Sequence, residues 1–168
     1  DALAGAGVLS ADDASAIREA LTEIRERGRR EPAFLSGADE DIHAFVERQL
    51  IERTGDVGRR LHTGRSRNEQ VSLDLRLYLR RRLPVLQQAV VRLVAALADR
   101  AAAAGPALMP AYTHLRRAQP MLVAHFFLAH VAALRRDHTR LAQARDETDA
   151  LPLGSGAVVG TSYAVDLA

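Results

Sequence analysis

A chain of 168 residues, 48% of them hydrophobic and 26% charged, has the balance of a folded globular protein rather than a disordered one. Aromatics are only 4% and cysteine is absent. This leaves Leu, Val, Ile and Ala to build the core, favours packed helices over a β-sandwich, and excludes disulfides, thiolate metal sites and cysteine nucleophiles. The net charge is +2, but all 23 cations are arginine; no Schiff-base lysine is available, and any anion must be met by guanidinium, polar side chains or backbone N–H groups.

The opening segment, starting on Asp1 rather than Met, has neither the positive start nor the apolar run of a signal peptide, and no stretch approaches the roughly 20 apolar residues of a membrane span. A longer parent chain and a cytoplasmic setting are expected. Ser10 reads as the N-cap of a first helix, with acids in its first turn; Ala14, Ile17, Leu21 and Ile24 recur at helical spacing, and Gly28 is the expected stop. A loop through Pro32, Ser36 and Gly37 leads to a second helix from about Asp39, burying Ile42, Phe45, Val46 and Leu50 and ending near Thr54 and Gly55.

Residues 58–67 are loop-like. From about Asn68 to Ala104, Leu75, Leu79, Leu83, Leu86, Val90, Leu93 and Leu97 follow at steps of three and four, which predicts a long helix with one continuous buried seam. Pro84 should kink or split it. A second loop, Met109–Pro120, precedes another long helix over about Met121–Asp149, and the tail from Leu151 is glycine-rich and nonhelical at first. The outline is all-α.

Between Val57 and Ala98 nine arginines stand against Glu69 and Asp74, a balance of +7 that attracts anions. Arg80, Arg81 and Arg82 diverge by about 100° each around a helix, so they make no single recognition stripe, and nucleic acid is not an expected partner. His125, His130 and His138 lack the spacing of a helical metal site, and neither metal nor cofactor is expected. Two constellations carry chemistry. Ser66, Arg67 and Asn68, just after Gly64, sit where a loop becomes a helix; hydroxyl, guanidinium, amide and free backbone N–H groups can together hold a carboxylate there, or simply cap the helix. Tyr112, Thr113 and His114 place a histidine beside a hydroxyl, a pairing that can move a proton or merely hydrogen-bond its own loop.

Taken in order, Glu40-Asp-Ile-His43, Gly55-Asp-Val-Gly58, Leu61-His-Thr-Gly-Arg-Ser-Arg-Asn68, Met109-Pro110, Tyr112-Thr-His-Leu115, Ala118-Gln-Pro120, Pro152-Leu-Gly-Ser-Gly156 and Gly160-Thr-Ser162 resemble the argininosuccinate lyase and delta-crystallin family of the fumarase–aspartase superfamily. The resemblance implies a long-helix bundle with a smaller N-terminal helical part, divided as 1–67 and 68–168. It implies a homotetramer whose active sites draw on three chains. The implied reaction is reversible elimination of argininosuccinate to arginine and fumarate, as in arginine biosynthesis, with no membrane partner. By carry-over Ser66, Arg67 and Asn68 bind the carboxylate end, Thr113 contacts substrate, His114 transfers a proton and His43 neighbours the site. The family's serine loop, and the acid that pairs with the histidine, fall beyond Ala168; this segment alone is expected to be inactive. Glu69 stands where the family usually has Asp, Arg116 for Gln, Ala111 for Gly, Ala164 for Pro and Leu167 for Arg. These departures leave open a lyase for another N-substituted aspartate, or a noncatalytic crystallin-like relative.

Overall fold

The computed structural model describes residues 1–166; Leu167 lies outside the described residues. The chain forms two compact units. The first comprises Asp1–Leu73 and the segment from Leu151 onward, and the second Asp74–Ala150. The elements in order are α1 (Ala2–Gly5), α2 (Ala11–Arg30), a 3-10 turn (Pro32–Leu35), α3 (Ile42–Thr54), α4 (Asp56–Arg59), a second 3-10 turn (Arg60–His62), α5 (Arg67–Ala104), β1 (Leu108–Thr113), β2 (Arg116–Leu122) and α6 (Val123–Glu147).

In the first unit, α2 starts where its cap dictates. The Ser10 Oγ accepts from the Asp13 N–H at 3.0 Å, and the Asp13 carboxylate accepts from the Ser10 N–H at 3.2 Å, a reciprocal capping box. The helix does not stop at Gly28 but runs on to Arg30, because a single glycine costs only about 1 kcal/mol and leaves the hydrogen-bond ladder intact. Gly28 is instead a packing site: a Cβ there would lie 2.9 Å from a methyl of Leu35. The core gathers Leu3, Leu9, Ile17, Ala20, Ile24, Phe45 and fully buried Leu50. Phe34 meets Phe45 edge-on, with ring centroids 5.1 Å apart, and the Arg27 guanidinium lies over the outer face of Phe34 at 4.1 Å. Asp41, whose Oδ1 accepts from the Ala44 N–H at 2.7 Å, caps α3, which therefore begins three residues later than expected. Ile42, expected in the core, is half exposed beside that cap. Gly55, at φ 63°, ends α3.

In the second unit α5 continues unbroken past Pro84; proline removes one donor and crowds the turn before it, which a helix of this length absorbs without splitting. The antiparallel partner is α6. Arg76 donates to the Glu147 carbonyl at 2.8 Å, Arg80 pairs with Asp149, and Val90 and Val94 line a shallow groove with Arg135 and His138. Two cations of the basic run thus hold the end of α6 in place. The expected seam is only partly buried within the chain: Leu83 is covered, while Leu75, Leu86 and Leu93 are each about half exposed. A two-helix hairpin has one shared face, and a stripe that winds past it finds no partner.

The expected loop Met109–Pro120 is an antiparallel hairpin, the one departure from loop and helix among the described residues of a mostly helical fold. Leu108 pairs with Leu122 and Thr113 with Arg116, with an irregularity at Ala111, between Pro110 and Tyr112. Pro110 faces Pro120. Neither proline can donate, so they occupy a pair whose N–H positions point away from the ladder, where the lost donor costs little.

Candidate active site

The Ser66–Asn68 corner opens α5. Its geometry is a helix cap: the Ser66 N–H donates to the Glu69 Oε1 at 2.9 Å, and the Ser66 Oγ accepts from the Asn68 N–H at 3.3 Å. Capping leaves room for an anion, since the first turn of a 38-residue helix carries the positive end of its dipole whatever the cap. Ser66 and Arg67 are half-buried and Asn68 is exposed.

Arg67 reaches back to α3. Its Nη2 donates to the Glu47 Oε2 at 3.1 Å, its Nη1 to the Gln70 Oε1 at 3.1 Å, and its Nε lies 3.7 Å from the Asp41 Oδ2. Asp41 also caps α3, one residue before Ile42 and two before His43. The structure therefore brings the start of α3, two residues before His43, to within 3.7 Å of the Arg67 guanidinium. The Ala44 N–H foremost, with Arg67 and His43 beside it, holds the Asp41 carboxyl below the usual carboxylate range. The Arg67 and Glu47 side chains are about a third exposed, and pairs this open are worth on the order of 0.2–1 kcal/mol. An incoming carboxylate can exchange with them at small cost.

Glu69, a departure from the family's usual Asp by sequence, has a larger part in the structure. The residue is 5% exposed. Besides Ser66, its Oε2 accepts from the Gly154 N–H at 3.1 Å, the Gly156 N–H at 2.9 Å and the Ser155 hydroxyl at 3.2 Å. Burial pushes its carboxyl up, but the hydrogen bonds from Ser66, Gly156, Gly154 and Ser155 outweigh that and hold it below the usual range. The same loop touches the corner again at Gly64, where a Cβ would lie 3.0 Å from the Thr161 Oγ1. Two glycine-rich motifs far apart in sequence thus become one wall. Beside it a cavity of about 220 Å³ is lined by Leu3, Thr63, Arg65, Glu69, Leu153 and Thr161 among others. No spacing rule could have paired Glu69 with residues 85 to 87 positions away.

Thr113 and His114 belong to the second unit. Thr113 ends β1 and His114 with Leu115 forms the two-residue turn, at φ 51° and 61°. Positive φ at both central positions is the type I′ geometry that matches strand twist and normally asks for Asn or Gly. A leucine there costs about 1–2 kcal/mol. Leu115 is 97% exposed, so no contact within the described chain repays that strain, and His114 is exposed beside it. Leu115→Gly is expected to raise stability in denaturant unfolding by up to about 1 kcal/mol, the relieved strain less the added chain entropy of glycine; a loss of stability would contradict the turn geometry.

Among the described residues no group of three or more His, Asp or Glu side chains is placed to hold a metal ion, and no helix is long and apolar enough to cross a membrane.

This mostly helical chain has relatives of the same build. A family model described as lyase matches residues 1–168, and the chain belongs to that lyase family, within the fumarase–aspartase superfamily. Argininosuccinate lyase of Koribacter versatilis (strain Ellin345) is 48% identical over 165 residues, which are 98% of this chain and 35% of the relative. Among solved structures, EDDS lyase in complex with formate matches 98% of this chain and 32% of its own at 25% identity, with a TM-score of 0.79. An EDDS lyase variant with bound fumarate matches to the same extent with a TM-score of 0.78. The chain spans about a third of the length of the relatives it matches.

Proposed function

We propose that this chain is the part of an argininosuccinate lyase that supplies the carboxylate-binding corner and the proton-transfer histidine. The reaction is reversible elimination of arginine from argininosuccinate, leaving fumarate. The likeness to an argininosuccinate lyase at 48% identity along 98% of the chain carries this reading. In it, Ser66, Arg67 and Asn68 hold a substrate carboxylate, Thr113 contacts substrate, His114 takes part in proton transfer and His43 stands at the edge of the site. The chemistry needs a base to remove a proton beside a carboxylate, donors to stabilise the carbanion and an acid to help the nitrogen leave. Arginine at the corner suits the second need by charge and by its planar pair of donors.

The working assembly is a homotetramer in the cytoplasm, with residues 1–67 in an N-terminal helical domain and 68–168 opening the central bundle. The half-exposed seam of Leu75, Leu86 and Leu93 supports association, since long helices with an uncovered apolar stripe gain by packing on others. The segment alone is inactive, and the full-length protein is the form to assay. Incubated with argininosuccinate, it is expected to form fumarate and arginine in equal amounts; a folded full-length protein that releases neither would overturn the reading. A second reading, a lyase for another N-substituted aspartate, is favoured by Arg116 and Ala111 in the hairpin and by the likeness to EDDS lyase. A panel of such substrates separates the two.

A further inference from the structure

We propose that Glu69 is a positioning residue for carboxylate binding at the Ser66–Asn68 corner, an inference that rests on the functional reading above. A residue that only capped α5 would need one acceptor for the Ser66 N–H, and the Glu69 Oε1 supplies it at 2.9 Å. The Oε2 is spent elsewhere, on the N–H groups of Gly154 and Gly156 and the hydroxyl of Ser155, all within 3.2 Å. One buried carboxylate therefore spans two segments. It fixes the residue that opens the anion-binding helix and pins the glycine loop behind it.

That loop is shaped for the task. Gly156, at φ +57°, and Gly154, at φ 108°, turn two N–H groups toward the same oxygen, and the Gly160 N–H closes the loop on the Ser155 carbonyl at 2.7 Å. Backbone N–H groups gathered in this way form a concavity that accepts one anion. Glu69 fills it from inside the protein, so the loop does not compete with Arg67 and Asn68 for the substrate. Glu69 itself touches no substrate in this account; it acts through Ser66 and the first turn of α5. Positional errors of about 1 Å in such supporting groups can cost on the order of a hundredfold in function.

The test uses the full-length protein. Glu69→Gln keeps the length of the side chain but replaces one acceptor oxygen with an amide that has hydrogens of its own. Binding of fumarate, followed by calorimetric titration, and turnover of argininosuccinate are measured on wild type and variant. In the folded variant, the fumarate Kd and the KM are expected to rise roughly tenfold or more while kcat falls by less than about threefold, the split that marks lost binding rather than lost chemistry. A purely structural Glu69 would lower the melting temperature and leave Kd and KM within about twofold of wild type, and that result overturns the proposal. Should Glu69→Gln not fold, Ser155→Ala carries the test. It leaves Glu69 in place but removes the one side-chain donor to its Oε2, and is expected to raise Kd about threefold; an unchanged Kd there overturns the proposal equally. A wild-type protein that neither binds fumarate nor converts argininosuccinate overturns the functional reading first, and is recognised by that wild-type result alone.

Discussion

Replacing His114 by asparagine in the full-length protein is expected to lower kcat on argininosuccinate by about 10²–10⁴-fold, the usual worth of a positioned acid–base group. Asparagine is the informative substitution because of the backbone it must adopt. His114 sits at φ 51° in a two-residue turn, and asparagine is among the few residues that tolerate this region. The hairpin should therefore survive. The side chain is exposed, so stability should change by less than about 0.5 kcal/mol. A loss of kcat with an unchanged melting temperature assigns the effect to the imidazole. If kcat stays within threefold of wild type, His114 plays no part in proton transfer.

The second large effect is expected at Gly156. A Cβ added there would fall 2.7 Å from the Gly160 carbonyl oxygen, with φ already at +57°. Both penalties act on backbone, where nothing flexible can move aside. Gly156→Ala should cost about 3 kcal/mol, the sum of a left-handed alanine and an overpacked contact. The loss should extend beyond the loop, because the Gly156 N–H is one of the donors that hold Glu69. Chemical denaturation of wild type and variant measures it; a change below about 0.5 kcal/mol would mean that the loop relaxes freely and does not support the corner.

Local signals predicted the helices well. Ser10 with Asp13 starts α2 through a reciprocal cap, and the apolar spacing of α3 and α5 belongs to real helices. The sequence failed where the deciding interaction is distant or unusual. The hairpin carries two prolines and a His–Leu turn in place of the Asn–Gly expected of a type I′ geometry, so its strands carry the local signals of a loop. Leu75, Leu86 and Leu93 have the spacing of buried residues, yet spacing shows only that a face is apolar and not what covers it. For the candidate site, Ser66, Arg67 and Asn68 were legible as a loop-to-helix junction, and the Asp41 cap ties the start of α3, with His43, to Arg67. Glu69 was not legible, because its partners lie at the far end of the chain.

The most direct test is a crystal structure of the full-length protein with fumarate bound. One fumarate carboxylate is expected within about 2.7–3.2 Å of donors from Ser66, Arg67 or Asn68, with Thr113 and His114, from the same or a neighbouring subunit, around the remainder of the molecule. Fumarate seated in the assembled protein and touching neither group of residues would contradict the account.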